Sequence, residues 1–343
     1  MIIGEFNAVN AKMSAMASKF LKDEDYINMA RLNNVSQIIE YLKNTSLSFI
    51  FDGDEDSFEA EKKLQVYRIN TIKKLSKYFK GVYREFALEL LNEFTIMDIK
   101  KILRTLKIGD GARTLESRLI TLNYRDYDIK NNSSIADFIG KIKNKEFVKI
   151  LKPYADEKDD IVLFYMEMNL DKFFYTKLFN LVKNFDRQNK KPALELLGIR
   201  IDLLNIIWIY RGLKYYDLSP EELINFTVLG GHYLSFDDLK DLSYSSLDKF
   251  VEKIKSGPYK FLFDGTYTDI YMDRRNNRYI YYLAKSDFLK NNDFSKFMAF
   301  ILLLNYEIKD LTSVMESRRF NMSLDRSLNY LVRSYKGSEQ IWL

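Results

Sequence analysis

The chain has 343 residues, 47% of them apolar and 29% charged, a composition typical of a globular protein rather than a disordered one. It has no cysteine and one histidine, His232, which excludes disulfides, thiol chemistry and histidine-based metal clusters. Its 53 basic and 48 acidic residues are interspersed, which indicates a solvated surface and no nucleic-acid partner.

The residue composition also favours helix over strand. Only 13 Gly and 4 Pro are present, and long runs are rich in Lys, Glu, Leu, Ile and Met, which are helix-forming residues. The densest apolar run, residues 297–306, is about half of the roughly 18 residues that a membrane helix needs. The N-terminal segment lacks the pattern of a secretory signal. We therefore expect an all-α chain in the cytoplasm with no membrane span.

The first predicted elements are a helix capped by Asn7 and a long helix at residues 58–78. An acidic run, FDGDEDSFEAE at 51–61, precedes the long helix. This run lacks the glycine and the glutamate of a twelve-residue Ca²⁺ loop. We predict an acidic connector in which Asp56 or Ser57 caps the helix.

A first repeat joins residues 35–51, 135–151 and 247–263, which align without a gap. Apolar residues share most of the columns, and their spacing of three and four lies on one face of a helix. The aligned apolar columns are Val35, Ile135 and Leu247; Ile38, Phe138 and Phe250; Ile39, Ile139 and Val251; Leu42, Ile142 and Ile254; Leu47, Phe147 and Tyr259.

A second repeat joins residues 98–104, 205–211 and 310–316, which start 107 and then 105 residues apart. Apolar residues occupy the second, fifth and sixth positions of each seven-residue copy. This spacing of three and four again lies on one helix face. A basic residue closes each copy. The members are Ile99, Ile102, Leu103 and Lys107; Ile206, Ile209, Tyr210 and Lys214; Leu311, Val314, Met315 and Arg319.

Predicted helix starts follow each copy of the second repeat. Ser219-Pro220-Glu221-Glu222 forms a capping box, while Thr114 and Ser323 are weaker caps. Further long helices are predicted at residues 162–182 and 271–289.

Such periodicity indicates three copies of one helical domain. We predict domains at 1–108, 109–216 and 217–343, the last with a C-terminal tail in which Trp342 favours packing. A unit of about 105 residues is longer than common solenoid repeats, which favours a pseudo-threefold arrangement of three domains, either stacked or closed around an axis.

The sequence resembles the C subunits of the prokaryotic V/A-type ATPases, the family to which the d subunits of the eukaryotic V-type ATPases also belong. The resemblance covers nearly the whole chain. It is carried by FNAVNAKMSAM with VSQIIEYLKNTSL, by MDIKKILRTLK, and above all by IDLLNIIWIYRGLKYYDLSPEELINFTVLGG. Three features depart from the family pattern: Asp98 stands where Asn is expected, no Gly follows Arg104, and Glu316 occupies the third arginine position.

This resemblance implies a funnel-shaped protein of three helical domains about a pseudo-threefold axis. It implies a non-catalytic rotor part that binds the central-stalk subunits and sits on the membrane ring that carries H⁺ or Na⁺, at its cytoplasmic face. No cofactor is implied. The alternative that the residues leave open is a cytoplasmic helical scaffold for peptides or regulatory proteins.

The candidate domain-junction or partner-contact residues lie in the second repeat and are Asp98, Arg104, Asn205, Arg211, Asp310 and Arg319. The arginines can equally serve as cations at the negative ends of helices. No catalytic, cofactor or metal residue is predicted. His232 is expected in a loop or at a helix start, and Gly230-Gly231 and Gly109-Asp110-Gly111 lack the phosphate-loop pattern and predict bends between helices.

Overall fold

Helices make up all of the regular structure in the part of the chain that the computed structural model describes, which is residues 6–109, 112–129, 133–157, 159, 161–265 and 268–333. The all-α prediction is confirmed. The α-helices are α1 (Asn7–Ala17), α2 (Asp23–Ala30), α3 (Val35–Lys43), α4 (Ser57–Ser76), α5 (Gly81–Glu89), α6 (Asn92–Ile108), α7 (Ala112–Arg118), α8 (Ile135–Lys141), α9 (Lys145–Leu151), α10 (Val162–Lys183), α11 (Arg187–Arg211), α12 (Pro220–Phe226), α13 (Phe236–Ser243), α14 (Leu247–Lys255), α15 (Thr268–Lys290), α16 (Phe294–Arg319) and α17 (Leu324–Asn329).

The chain divides into two compact units. Unit 1 comprises Met1–Arg84, Phe185–Leu196 and Ile254–Leu343, and unit 2 comprises Glu85–Asn184 and Leu197–Lys253. The division falls within helices α5, α11 and α14. These units do not correspond to the three copies, and the division at 108 and 216 stays a prediction.

Unit 2 is organised around α6 and α10. Helix α6 packs against α7, α8 and α10, and α10 packs in addition against α9 and α12. The apolar face of α6 that the repeat predicts is formed by Ile99, Ile102 and Leu103, all fully buried. The helix ends at Gly109, whose φ of 74° gives the left-handed C-cap that glycine adopts without strain.

Unit 1 is built around α16. This helix packs against α15 and α17 and against α1, α2, α3 and α4 from the start of the chain. Most residues of α16 are buried on all sides, as expected for a helix that is apolar all round. The prediction of a buried core helix at residues 297–306 is confirmed.

An aromatic cluster in unit 1 joins residues that follow the three long helices. Phe79, Phe185 and Phe294 follow the long helices α4, α10 and α15 and lie 106 and 109 residues apart in sequence. The ring centroid of Phe294 lies 4.9 Å from that of Phe79 and 5.1 Å from that of Phe185. Phe6 and Tyr83 pack on the same ring at 6.0 and 4.8 Å. We call these five residues the aromatic hub.

The first repeat keeps the same burial in four of its five apolar columns. The exception is the column of Ile39, Ile139 and Val251, in which Val251 is half-buried and the other two are buried. Its first column is half-buried each time, at Val35, Ile135 and Leu247. The buried columns contain Ile38, Phe138 and Phe250; Leu42, Ile142 and Ile254; Leu47, Phe147 and Tyr259. One difference is local: the second copy breaks into α8 and α9, because Ile142 takes an extended conformation. Equal burial at the four aligned columns supports a common packing role.

Most predicted helix boundaries agree with the structure. Helices α4, α10 and α15 lie close to the predicted long helices, and Asp56, Ser219 and Ser323 are N-caps that accept backbone N–H bonds. Two predicted caps are wrong. Asn7 occupies the first helical position and makes no capping bond, and Thr114 lies inside α7. Asp110, Gly111 and the tail with Trp342 lie outside the described residues.

Candidate functional site

Asp98 anchors the chain segment that follows α7. Its side chain is fully buried in α6, and its carboxylate accepts the backbone N–H groups of Ile120, Thr121 and Leu122 at 3.0, 2.6 and 3.0 Å. The Thr121 hydroxyl donates to it at 2.9 Å. Charge-assisted bonds from four donors offset the cost of burying the carboxylate. The side chain therefore holds a turn of backbone against α6.

Asn205 has the corresponding role in α11. Its amide Nδ2 donates to the Val228 carbonyl at 2.8 Å, and its Oδ1 accepts the Val228 N–H at 2.8 Å. The asparagine thus satisfies both polar groups of one buried residue, as a neighbouring strand would. This pair of bonds anchors the segment that follows α12.

Asp310 repeats the arrangement in α16 with a cation added. Its fully buried carboxylate accepts the Val332 N–H at 2.6 Å and Nε of Arg333 at 3.2 Å. The Arg333 guanidinium also donates to the Leu21 carbonyl at 2.9 Å and to the Tyr26 hydroxyl at 3.1 Å. The buried ion pair therefore connects α16 to the segment that follows α17 and to the region around α2.

Asp98, Asn205 and Asp310 occupy corresponding positions of the second repeat, and each binds the backbone of a later segment. Each lies on the helix that carries the second repeat, and each bonds to backbone 22 to 24 residues further along the chain. We call Asp98, Asn205 and Asp310 the helix-end clamps. Their described bonds go to the chain itself, so a role for them in contacting partners stays a prediction.

A second set of polar residues lies three positions before each clamp, and the sequence analysis missed it. Asp202 accepts the N–H groups of His232 and Tyr233 at 3.0 and 2.7 Å. Glu307, 1% exposed, accepts the Leu21 N–H at 2.7 Å. Thr95 holds this position in the first copy. The regular spacing from the clamps could have revealed these residues.

The structure explains why two glycines, Gly230 and Gly231, follow α12. A Cβ atom on Gly231 would lie 1.9 Å from Oδ1 of Asp202, and Gly230 has a φ of 102°. Only glycine lets the backbone approach the carboxylate this closely. The loop prediction for His232 is confirmed, and the bond recorded for it to Asp202 comes from its backbone N–H.

Arg104 connects two helices of unit 2. Its guanidinium binds Glu167 of α10 through two bonds of 2.6 Å each, while its side chain is 56% exposed. This hydrogen-bonded carboxylate raises the pKa of Arg104. A two-point arginine–carboxylate pair fixes orientation as well as distance. The residue therefore braces α6 against α10 and still presents an exposed surface.

Arg211 ends α11 and Arg319 ends α16, the helices that carry the second and third copies of the second repeat. Arg211 is half-buried and is followed by a π-helical turn, Gly212–Tyr216. Arg319 pairs with Glu316 at 3.3 Å, and its guanidinium lies 4.7 Å from the centre of the Phe58 ring. Both positions suit a cation at a helix C-terminus.

Two kinds of site are not found in the described residues. No group of three or more His, Cys, Asp or Glu side chains there is arranged to hold a metal ion. None of the helices described is long and apolar enough to cross a membrane.

Three helix-end clamps and an aromatic hub define an all-helical protein with internal repeats. Comparison with known proteins identifies its class. The model of the ATP synthase (C/AC39) subunit family matches residues 9–330. The chain belongs to this family and is a non-catalytic component of a rotary ATPase complex.

Several relatives are named as C subunits of A-type ATP synthases. The one from Methanosarcina barkeri (strain Fusaro / DSM 804) is 26% identical over 260 residues, 72% of this chain and 69% of the relative. That from Methanosarcina mazei is 24% identical over 259 residues, with the same coverage. That from Archaeoglobus fulgidus is 22% identical over 253 residues, 71% of each chain.

Proposed function

We propose that the chain is the adaptor of the central rotor in a V/A-type ATPase. It binds the central-stalk subunits on one side and the membrane ring that carries ions on the other, and it passes torque between them. It lies at the cytoplasmic face of the membrane and is held there through the ring. ATP chemistry takes place on other subunits of the complex.

Family membership carries this proposal, and the clamps give it a physical basis. A part that passes torque must resist shear between its helices. Buried, fully bonded polar groups resist displacement because separating them leaves unpaired charge or amide groups in the interior. The clamps Asp98, Asn205 and Asp310 attach a later segment to the helix that carries each copy of the second repeat in this way.

A closed pseudo-threefold arrangement suits an adaptor, because a closed ring of domains can enclose the foot of a stalk. Two observations in unit 1 support it. The residues that follow the three long helices, Phe79, Phe185 and Phe294, meet in the aromatic hub. In addition, α16 near the end of the chain packs against α1–α4 at its start.

Spin labels can test the threefold arrangement, since the chain has no cysteine that would compete for labelling. Three double-cysteine variants, which pair positions Lys77, Asn184 and Lys290 at the C-terminal ends of the three long helices, give three pairwise distances. A closed threefold arrangement makes the three distances similar. A linear stack of domains would make one distance about the sum of the other two, and that result would contradict the proposal.

The coupling role is tested by assembling the ATPase with and without this protein in ion-tight vesicles. The adaptor role predicts that ATP hydrolysis continues without the protein while ATP-driven ion uptake stops, and that adding the purified chain restores uptake. Unchanged uptake in its absence would show that torque takes another route.

The exposed ends of α6, α11 and α16 are the proposed contact region, with Arg104, Arg211 and Arg319 as its candidate residues. Arg211→Ala should weaken capture of the stalk subunits or the ring more than it lowers the unfolding temperature. Arg125→Ala, at a side chain that is 85% exposed, is the matched control. Equal loss of capture and of thermal stability in Arg211→Ala would assign this arginine to folding alone.

A further inference from the structure

Unit 1 contains a cavity of about 470 Å³ between α1, the segment after α3, α4 and α16. Its volume is within the range of about 300–1,000 Å³ that is usual for small-molecule sites. The residues that line it include polar groups of opposite charge and an apolar wall, and neither the clamps nor the aromatic hub contributes to it.

The floor of the cavity is the Glu307 carboxylate. This side chain is 1% exposed, and its Oε1 accepts the Leu21 N–H at 2.7 Å. Its Oε2 receives no hydrogen bond from any described residue. Burial raises the pKa of Glu307 to about 7. A carboxylate oxygen without a donor can accept a hydrogen bond from a bound group.

The mouth of the cavity is positively charged. Lys19 and Lys74 are exposed at its edge, and neither ammonium group forms an ion pair or hydrogen bond within the described residues. Lys12 is half-buried beside them and donates to the Tyr78 hydroxyl at 2.9 Å. Three ammonium groups at one opening attract a group with more than one negative charge.

The walls between floor and mouth are aromatic and aliphatic. Phe20 and Leu47 line the cavity together with Phe49 and Tyr67, whose ring centroids are 5.4 Å apart. Phe49 is 69% exposed, so its ring is accessible to a ligand. Such a wall offers planar surface on which a flat ring can stack.

We propose that this cavity binds a nucleoside monophosphate. The phosphate lies at Lys12, Lys19 and Lys74, the base lies against Phe49 and Tyr67, and an amino group of the base donates to Oε2 of Glu307. Each part of the ligand then meets a group of complementary chemistry at its own depth in the cavity. The site is separate from the proposed coupling role and can fail without affecting it.

Calorimetric titration of the full-length chain tests the site with three probes. Adenosine 5′-monophosphate carries the amino group, purine riboside 5′-monophosphate lacks it, and inorganic phosphate lacks the whole nucleoside. We expect saturable binding of adenosine monophosphate and about tenfold weaker binding of the purine riboside, because a hydrogen bond to a charged group is lost. Inorganic phosphate should bind weakest.

Variants of the cavity locate the binding. Lys74→Ala should weaken adenosine monophosphate binding about threefold to fivefold, the effect of one exposed charge. Lys73→Ala removes the neighbouring exposed lysine of α4 that does not line the cavity, and it should leave binding unchanged. Glu307→Gln keeps an acceptor for Leu21 but removes the second one, so it should abolish the preference for the amino-bearing nucleotide.

Three results would overturn the proposal. The first is no saturable binding of adenosine monophosphate, and the second is equal affinity for inorganic phosphate. The third is an unchanged preference for the amino group in a Glu307→Gln protein that unfolds as cooperatively as the native chain.

Discussion

The first and third helix-end clamps occupy the same register but stabilise a buried aspartate in different ways. Asp98 in α6 is surrounded by donors that carry no charge, namely three backbone N–H groups and one hydroxyl. Asp310 in α16 has the backbone N–H groups of Val332 and Arg333 as donors and, in addition, the guanidinium of Arg333. Two aspartates at the same position of a repeat can therefore be stabilised by different kinds of hydrogen-bond donor.

The second clamp explains why the residue type changes. Asn205 faces one N–H and one carbonyl group of Val228, so a residue that both donates and accepts fits there. Asp98 faces donors only, so a carboxylate fits better than an amide. The departure from the family pattern at Asp98 thus has a local reason in the backbone that it holds.

The largest expected effect comes from removing the cation of the third clamp. Arg333→Met should lower the free energy of unfolding by about 3–5 kcal/mol, because it leaves Asp310 buried without its charge partner. Calorimetric unfolding measures the loss. A second substitution, Asp310→Asn, should recover part of it. An unchanged stability in Arg333→Met would show that the backbone donors alone support Asp310.

The next effect concerns pH and the buried carboxyl group of Glu307. Burial raises the pKa of Glu307 from 4.5 to about 7, so between these values the folded chain holds a proton that the unfolded chain releases. Stability should therefore fall as pH rises through this window, by about 3 kcal/mol in total.

Glu307→Gln should remove the part of the pH dependence that Glu307 contributes. Burial also raises the pKa of Asp310 to about 6, and that contribution should remain. The variant should be more stable than the native chain at pH 8 and similar to it at pH 4, as measured by calorimetry at both values. The charged groups around Glu307 include Asp25, Asp310 and Arg333, and they remain in the variant. Thr95→Ala, at the matching position of the first copy, should leave the pH dependence as it is. An equal gain at both pH values would rule out titration of Glu307.

Exchanging the residue types of the first two clamps should give a smaller loss. Asp98→Asn turns an amide towards backbone donors, and Asn205→Asp turns a carboxylate towards the Val228 carbonyl. Each should cost about 2 kcal/mol, the penalty of a mismatched buried polar group. Asp54→Asn, at an exposed residue, is the control. If either exchange is tolerated at no cost in chemical denaturation, the local-fit explanation is wrong.

The smallest effect distinguishes the two surface arginine pairs. Arg104→Gln should cost about 0.5–1 kcal/mol, because its two bonds to Glu167 have good geometry, although the pair is partly exposed. Arg319→Gln loses two longer bonds from one nitrogen to Glu316, at 3.3 and 3.4 Å, and the contact with the Phe58 ring, and it should cost less because these contacts are weaker and exposed. Thermal unfolding of both variants provides the measurement, and the reverse order would contradict the assigned geometry.

Much of the local structure could be predicted from periodicity. Apolar columns spaced by three and four predicted which residues of α3, α6 and α16 are buried. The capping signals at Asp56, Ser219 and Ser323 predicted helix starts, since a cap depends on neighbours within three residues. The same signal misled at Asn7 and Thr114, where helices begin earlier.

The repeat in the sequence identified Asp98, Asn205 and Asp310 together, but it did not predict their hydrogen-bond partners. The sequence alone determined that Asp98, Asn205 and Asp310 share a register in the second repeat, because helical periodicity is local. Only the tertiary structure decided which backbone groups face each of them and that Arg333 reaches Asp310 and Leu21. Those partners lie 22 to 312 residues away in sequence, and packing of distant segments selects them, which no local pattern encodes.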